Sequence, residues 1–182
     1  MDEYIEILDR NGIPTGKRCW KSEAHDKGYF HASVHIWLYT ANGEILVQQR
    51  KTTKDTFPGL WDVSVAGHIS FGESILRAST REIKEEIGLS IPSSKLHLIG
   101  TSTHKHVHQN GIIDHELHHL FITETSVPMK NIKIQQEEVA AIQMIPLVTF
   151  ESELKVTPEK YVPHGALYYQ KITSAIKNRL SI

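Results

Sequence analysis

The sequence has 182 residues, a formal net charge of −1 and 40% hydrophobic residues, as in an ordinary globular domain. The near-neutral charge argues against binding of a nucleic-acid polymer, which requires a basic surplus. The longest apolar runs are shorter than the ~18 residues that can span a bilayer, so no membrane association is expected.

The length predicts one domain, residues 1–182, since a domain takes roughly 150 residues. Its core is expected at about 28–150, with an N-terminal strand or hairpin extension at 1–27 and a C-terminal helix at 164–181. The first ten residues, MDEYIEILDR, are acidic and lack the pattern of a signal peptide. Cys19 is the single cysteine, so no disulfide can form within the chain. Both features predict a cytoplasmic protein.

Strands and two helices are predicted along the chain. The strand-like runs lie at 4–8, 30–40, 45–50, 57–67 (with a turn), 96–103, 117–123 and 139–145. Asn42-Gly43 predicts a tight hairpin between the second and third runs. One helix is predicted at 74–87, where apolar residues share a stripe and Gly88 follows as a stop residue. A closing amphipathic helix is predicted at 164–180. This order predicts an α/β or α+β sandwich around a mixed sheet.

The predicted helix at 74–87 carries three glutamates on one side. Glu86 lies four residues after Glu82, and Glu85 three residues after it, so all three fall within about one turn. Like charges repel there, and Mg²⁺ or Mn²⁺ would remove the conflict because both prefer carboxylate oxygens. Arg81 can orient one carboxylate by a forked hydrogen bond. The alternative is a solvated helix face, which is the common meaning of a charge run.

A longer frame around this helix resembles the signature of the Nudix hydrolase superfamily. All its constrained positions are matched, at Gly67, Glu73, Arg81, Glu82, Ile83, Glu85, Glu86, Gly88 and Leu89. The resemblance implies a Nudix α/β/α sandwich that uses Mg²⁺ or Mn²⁺ to hydrolyse the pyrophosphate bond of a nucleoside diphosphate derivative or other organic diphosphate. It implies that the metal is bound by the loop and helix, at Glu82, Glu85, Glu86, Glu73 and Gly67, and that Arg81 orients a carboxylate. The resemblance also allows a homodimer, since dimers are common in the superfamily.

The reaction that the resemblance implies is attack of water on a phosphorus atom crowded by negative oxygens. Cations lower the electrostatic cost of that attack. The general base is predicted among the three helix glutamates or downstream, at Glu138. The alternative for the Glu137–Glu138 pair is an ordinary exposed turn.

Segments outside this frame resemble the type I isopentenyl-diphosphate isomerases of the same superfamily. They are ILDRNGIPTG, FHASVHIWLYTANGEILVQQR and FPGLWDVSVAGH. This resemblance implies a second metal site of three histidines and two carboxylates, at His25, His31, His68, Asp114 and Glu116. Arg50 and Lys54 lie where the isomerases hold the diphosphate, and they are predicted to anchor substrate phosphates. The alternative for both is simple surface charge.

Ala66 stands where the isomerases carry a cysteine that exchanges a proton. Alanine has no exchangeable proton, although Glu116 would supply the other acid–base group. The prediction is therefore a hydrolase, with an isomerase and a catalytically silent diphosphate-binding module as the alternatives. The other histidines of the second half are interpreted as polar surface, at His104, His106, His108, His115, His118 and His119.

Overall fold

The computed structural model describes residues 2–181, so the two terminal residues of the predicted domain lie outside the described part. Nine strands are present there: β1 (Tyr4–Leu8), β2 (Pro14–Trp20), β3 (His31–Tyr39), β4 (Glu44–Arg50), β5 (Trp61–Asp62), β6 (Val65–His68), β7 (His97–Val107), β8 (Ile113–Glu124) and β9 (Val139–Pro146). The α-helices in the same range are α1 (Lys21–Lys27), α2 (Ile75–Ile87), α3 (Leu147–Val156) and α4 (Ala166–Leu180).

Strand β3 is the centre of a mixed sheet. It pairs antiparallel with β1, β4 and β6, and parallel with β8. Strand β7 pairs with β8, while β5 and β9 pair with β4 and β2 pairs with β1, all antiparallel. Both faces of β3 are buried, as expected of a central strand.

Helices cover both faces of the sheet. Helix α2 packs Ile83 against Val34 and Ile36 of β3. Helices α3 and α4 cover the opposite face, where Trp37 packs beside Phe150. Alternate residues of β3 therefore enter two separate cores, because successive strand side chains point to opposite faces. The predicted α/β/α sandwich around a mixed sheet is confirmed.

Helix α2 begins and ends close to where the sequence predicts. Ser74 caps its first turn by accepting a hydrogen bond from the backbone N–H of Arg77 at 3.3 Å. Gly88 ends it in the left-handed conformation, at φ 68°. These two local signals fix where the helix that carries the glutamates begins and ends. None of the described helices combines the length and the apolar character needed to cross a bilayer.

Three elements are missed by the sequence patterns. Strand β2 is polar and buries only Cys19 fully, α1 has seven residues and buries only Ala24, and α3 follows β9 without a break. In the part of the chain that the structure describes, the N-terminal extension is thus a hairpin followed by a helix, and there are four α-helices rather than the two predicted. Strands β7 and β8 are also longer than predicted, because they continue as a two-stranded arm with alternating burial.

We expect Ile83→Ala to lower the free energy of unfolding by about 2–5 kcal/mol, because it leaves a cavity between α2 and the sheet. Leu76→Ala is the matched control on the same helix, since Ile83 is 0% exposed and Leu76 is 45% exposed. The control should change the free energy of unfolding by no more than about 0.5 kcal/mol. Urea denaturation followed by circular dichroism measures both. Equal losses in the two variants would contradict the packing of α2 described above.

Candidate functional site

The candidate site is a cavity of about 1130 Å³ that is lined by α1, α2, β6, the β7–β8 arm and the loops at 53–57 and 135–138. It brings together most of the predicted site residues, namely His25, Arg50, Lys54, Gly67, His68, Arg81, Glu82, Glu85, Glu86, Asp114, Glu116 and Glu138. Glu73 and His31 lie just behind the lining, where Glu73 contacts Arg81 and His31 contacts Glu116.

Arg81 holds three carboxylates and one backbone carbonyl. Its Nε and Nη2 donate to the two oxygens of Glu73 at 3.1 and 2.8 Å. Its Nη1 donates to Glu82 Oε1 at 2.6 Å and to Glu85 Oε2 at 3.1 Å. Its Nη2 also donates to the carbonyl oxygen of His68 at 3.0 Å. The guanidinium therefore ties helix α2 to the end of β6. Although burial alone would raise the pKa of Glu73, the ion pair with Arg81 lowers it.

Gly67 lies against the carboxyl group of Glu82. A Cβ atom at position 67 would come within 2.0 Å of Glu82 Cδ, so any larger residue displaces that carboxylate. The glycine thus serves the close approach of β6 to α2, which places the Glu82 oxygens beside the backbone of β6.

Glu86 is a buried carboxyl group without a cationic partner among the described residues. Its Oε2 accepts hydrogen bonds from Gln48 Nε2 at 3.2 Å and from the backbone N–H of Ala66 at 3.3 Å. Burial, and then the neighbouring Glu82, raises the pKa of Glu86 to about 8. Burial likewise raises the pKa of Glu82 to about 7. Two buried carboxyl groups on one helix side form an oxygen-rich site that suits a hard divalent cation.

Four of the five residues predicted for a second metal site form one compact group. One candidate ligand atom from each of His25, His31, His68 and Glu116 lies within 4.8 Å of the others. Nε2 of His25 is 3.1 Å from Nε2 of His68. Nε2 of His31 is buried without a hydrogen-bond partner in the described chain. An unpaired buried nitrogen aimed at other donor atoms is what a nitrogen-preferring cation would satisfy.

Asp114 lies at the edge of this group. Its Oδ1 is hydrogen bonded to Nδ1 of His25 at 3.0 Å, and its Oδ2 to Nε2 of His108 at 2.8 Å. Asp114 therefore orients the ring of His25 from behind, in the manner of an outer partner of a metal-binding histidine.

The predicted phosphate-binding cations are both engaged with the protein. Arg50 donates to Asp62 Oδ2 at 3.3 Å and to the carbonyl and hydroxyl oxygens of Thr56 at 3.0 and 2.9 Å. Lys54 forms an ion pair with Glu138 at the rim of the cavity. Burial alone would raise the pKa of Glu138, but the hydrogen bond and charge of Lys54 lower it. Glu138 is thus a paired carboxylate at the cavity, rather than part of a free exposed turn.

The interpretation of His118 as polar surface is wrong. Its side chain is buried, at 3% exposure, because position 118 faces Ser33 of the central strand in the parallel β3–β8 pair. His104 is partly buried, and its Nε2 has no hydrogen-bond partner in the part of the chain that the structure describes. The alternation of β8 continues through residues 114–120, and its buried positions are even-numbered. That alternation was the signal that could have placed His118 inside.

A further group of histidines is missed altogether by the sequence analysis. It consists of His35, His118 and His164, one nitrogen of each lying within 4.8 Å of the others. All three line the cavity. His35 stands among apolar neighbours in the run SVHIW, which could have marked it as buried. His164 offers no such signal, because it lies in a loop whose position depends on the packing of α4.

Comparison with known proteins identifies relatives over most of the chain. The family model for the NUDIX domain matches residues 29–165. Nudix hydrolase 3 of Arabidopsis thaliana is 30% identical over all of this chain, which spans only 24% of that relative's length. An isopentenyl-diphosphate Delta-isomerase of Pectobacterium atrosepticum is 30% identical over 92% of this chain and 90% of its own.

A solved structure supports the fold. The crystal structure of DR0079 from Deinococcus radiodurans has a TM-score of 0.67, with 14% identity over 85% of this chain and 90% of that chain. At this identity the likeness concerns the fold, a mixed sheet between helices.

We expect the fold to lose stability between pH 5 and pH 8.5 when divalent cations are removed by chelation. The carboxyl pKa values of about 7 and 8 at Glu82 and Glu86 lie above the unfolded value of 4.5. The folded protein therefore binds more protons than the unfolded chain in this window, so stability is full below about pH 4.5 and is lost as pH rises through 7–8. Glu86→Gln should flatten the fall, and added Mg²⁺ should restore wild-type stability at pH 8.5. Urea midpoints at pH 5, 7 and 8.5 measure both effects. A wild-type midpoint that does not change with pH would contradict the burial of these two carboxyl groups.

Proposed function

The chain belongs to the Nudix hydrolase family, and on that premise we propose that it uses Mg²⁺ or Mn²⁺, held at Glu82, Glu85 and Glu86, to hydrolyse the diphosphate bond of a small organic molecule. The enzyme class that follows from the family is pyrophosphohydrolase. The choice of cation, the substrate and the roles of individual residues are the content of the proposal.

The observation that carries the proposal is the pair of buried carboxyl groups at Glu82 and Glu86. The charge of Arg81 is spread over three carboxylates, and Glu86 receives only neutral donors. Two buried carboxylates can ionise together only with further positive charge nearby. A divalent cation supplies that charge, and its preference for carboxylate oxygens fits this donor set.

The protein's own residues hold and orient the reacting groups. Arg81 and Glu73 keep Glu82 and Glu85 in a fixed arrangement, while Gly67 leaves room for the Glu82 carboxylate. The bound cation would polarise a phosphate oxygen and make water more acidic. The residues around the cation mainly position the diphosphate and the water, because charge on the phosphoryl oxygens is the main barrier.

Lys54 and Glu138 are proposed to act together at the rim. A diphosphate anion competes with the Glu138 carboxylate for the ammonium group of Lys54. Because Lys54 is what lowers the pKa of Glu138, release of this pair by the substrate would make the freed carboxylate a better acceptor for a proton from the attacking water. Arg50 is held by Asp62 and Thr56. Its proposed role is therefore to attract the diphosphate through its positive charge while it keeps these hydrogen bonds.

The size of the cavity bears on the substrate class. A volume of about 1130 Å³ exceeds the ~300–1000 Å³ of usual ligand sites, so a sizeable organic group fits beside the diphosphate. A nucleoside diphosphate derivative fits within this volume. The proposal is therefore a substrate with a diphosphate between, or attached to, organic groups.

The group of His25, His31, His68 and Glu116 is proposed as a second, nitrogen-rich metal site. Imidazole and carboxylate ligands suit Zn²⁺ and similar cations. His25 is on α1, His31 on β3 and His68 on β6, so a cation there would join the N-terminal extension to the sheet. This site would organise the cavity wall.

Glu86→Gln should lower metal-dependent phosphate release at least a hundredfold, because the amide keeps the shape but supplies no charge to the cation. Phosphate or nucleotide release is followed with Mg²⁺ and with Mn²⁺ across a library of organic diphosphates. Glu159→Gln is the matched control, since Glu159 is exposed in a turn and does not line the cavity. Undiminished hydrolysis by the Glu86 variant would exclude the proposed metal site.

Isopentenyl-diphosphate isomerisation is the second candidate, because a relative of nearly full coverage has that name and Glu116 lines the cavity. We expect no isomerised product, since the Ala66 side chain is a methyl group without an exchangeable proton. Incubation with isopentenyl diphosphate in D₂O, followed by NMR, measures product and deuterium uptake. Deuterium uptake that depends on Glu116 would show that the isomerase reaction survives.

A further inference from the structure

Three imidazole rings meet at one wall of the cavity, from three separate parts of the chain. His35 comes from β3, His118 from β8 and His164 from the segment before α4. One nitrogen of each lies within 4.8 Å of the others. His35 and His118 are buried, and their rings stack at 3.9 Å between centroids. Two stacked rings at this distance repel if both carry a proton charge, so the arrangement suits neutral imidazoles.

Each ring is held from behind through one nitrogen. Nδ1 of His35 is hydrogen bonded to the hydroxyl of Tyr168 at 2.7 Å, and Nδ1 of His118 to the hydroxyl of Ser33 at 2.8 Å. Nε2 of His164 donates to Asp62 Oδ1 at 2.7 Å. Outer hydrogen bonds of this kind orient the rings of metal-binding histidines, and at His164 the carboxylate partner also fixes the tautomer.

Two of the three inner nitrogens are buried without a partner. Nε2 of His118 and Nδ1 of His164 are buried and have no hydrogen bond within residues 2–181. The Asp62 carboxylate can only accept, so His164 carries its proton on Nε2 and keeps a lone pair on Nδ1. Glu116 Oε2 lies 3.4 Å from Nδ1 of His118, so the proton of that ring lies on Nδ1 and the lone pair on Nε2. Buried lone pairs without a partner are unfavourable unless a ligand satisfies them.

We propose that His35, His118 and His164 bind Zn²⁺, or a similar nitrogen-preferring divalent cation, with a fourth position open to the cavity. Three neutral imidazoles favour such a cation over Mg²⁺, which prefers oxygen ligands. Tetrahedral Zn²⁺ with nitrogen at ~2.0–2.1 Å separates its ligands by about 3.3 Å, so the rings would draw together slightly. The open position would take a water or a donor atom of the substrate.

This site shares no histidine with the group at His25, His31 and His68. Glu116 lies between the two groups, with Oε1 3.7 Å from Nε2 of His68 and Oε2 on the side of His118. The site is also separate from the glutamates of α2, and it does not depend on the proposed hydrolysis. Metal binding can therefore be tested without any substrate.

Metal stoichiometry of the whole chain tests the proposal. Protein stripped by a chelator is titrated with Co²⁺, followed by visible absorption, and with Zn²⁺, followed by elemental analysis, both in a hundredfold excess of Mg²⁺ to occupy the glutamate site. His164→Ala should bind one equivalent fewer than wild type, and the double variant His25→Ala/His164→Ala should bind one equivalent fewer than His25→Ala alone. His97→Ala is the control for surface histidines, since His97 is absent from the cavity lining, and it should bind as wild type does.

His118→Gln is the second variant if His164→Ala does not fold, and it should lose the same equivalent. Anomalous scattering from zinc-soaked wild-type crystals should give a peak among the three rings. Equal metal content in wild type and either folded variant would overturn the proposal, as would a map without a peak there.

Discussion

The site depends on one guanidinium group. Arg81 gathers Glu73, Glu82 and Glu85 around it and reaches the carbonyl of His68, so a helix face of like charges is held against the end of a strand. Without that cation, three neighbouring carboxylates would repel one another and turn to solvent. With it, all but one of the four acidic groups around α2 are oriented by direct contact with a fixed cation. Glu86 is the exception, and the proposed cation would supply the positive charge that it lacks.

A steric constraint acts with this charge constraint. The backbone of β6 can approach the Glu82 carboxyl group only because position 67 has no side chain. The close approach buries Glu82 and Glu86 and raises both pKa values. Protons and the proposed divalent cation would therefore compete for the same oxygens, since either one removes the cost of two buried charges. Binding of that cation would stabilise the fold by removing the cost.

Local signals allowed the sequence to predict the elements that carry the glutamates. Ser74 and Gly88 mark the ends of α2, and Asn42-Gly43 marks the β3–β4 hairpin, because each acts within a few residues. The parallel pairing of β3 with β8 joins positions about 85 residues apart and has no local signal, so the burial of His118 was missed. Helix α1 was missed because tertiary packing, not propensity, holds seven residues in a helix. The resemblance to known families predicted the group of His25, His31, His68 and Glu116. No motif in the sequence marked the group of His35, His118 and His164.

The β3–β8 register places both histidine groups at once. His31 lies opposite Glu116 and Ser33 opposite His118, so the odd-numbered side chains of β3 meet the even-numbered ones of β8 on one face. The other face of β3 carries Val34 and Ile36, which pack against α2. A slip of one residue in β3 would exchange its two faces. The imidazoles would then be buried under α2, and Val34 and Ile36 would lose their contacts with that helix. The apolar packing that fixes the fold therefore also fixes the spacing of the histidine side chains. The proposed oxygen site on α2 and the proposed nitrogen sites on the sheet would then select different cations within one cavity.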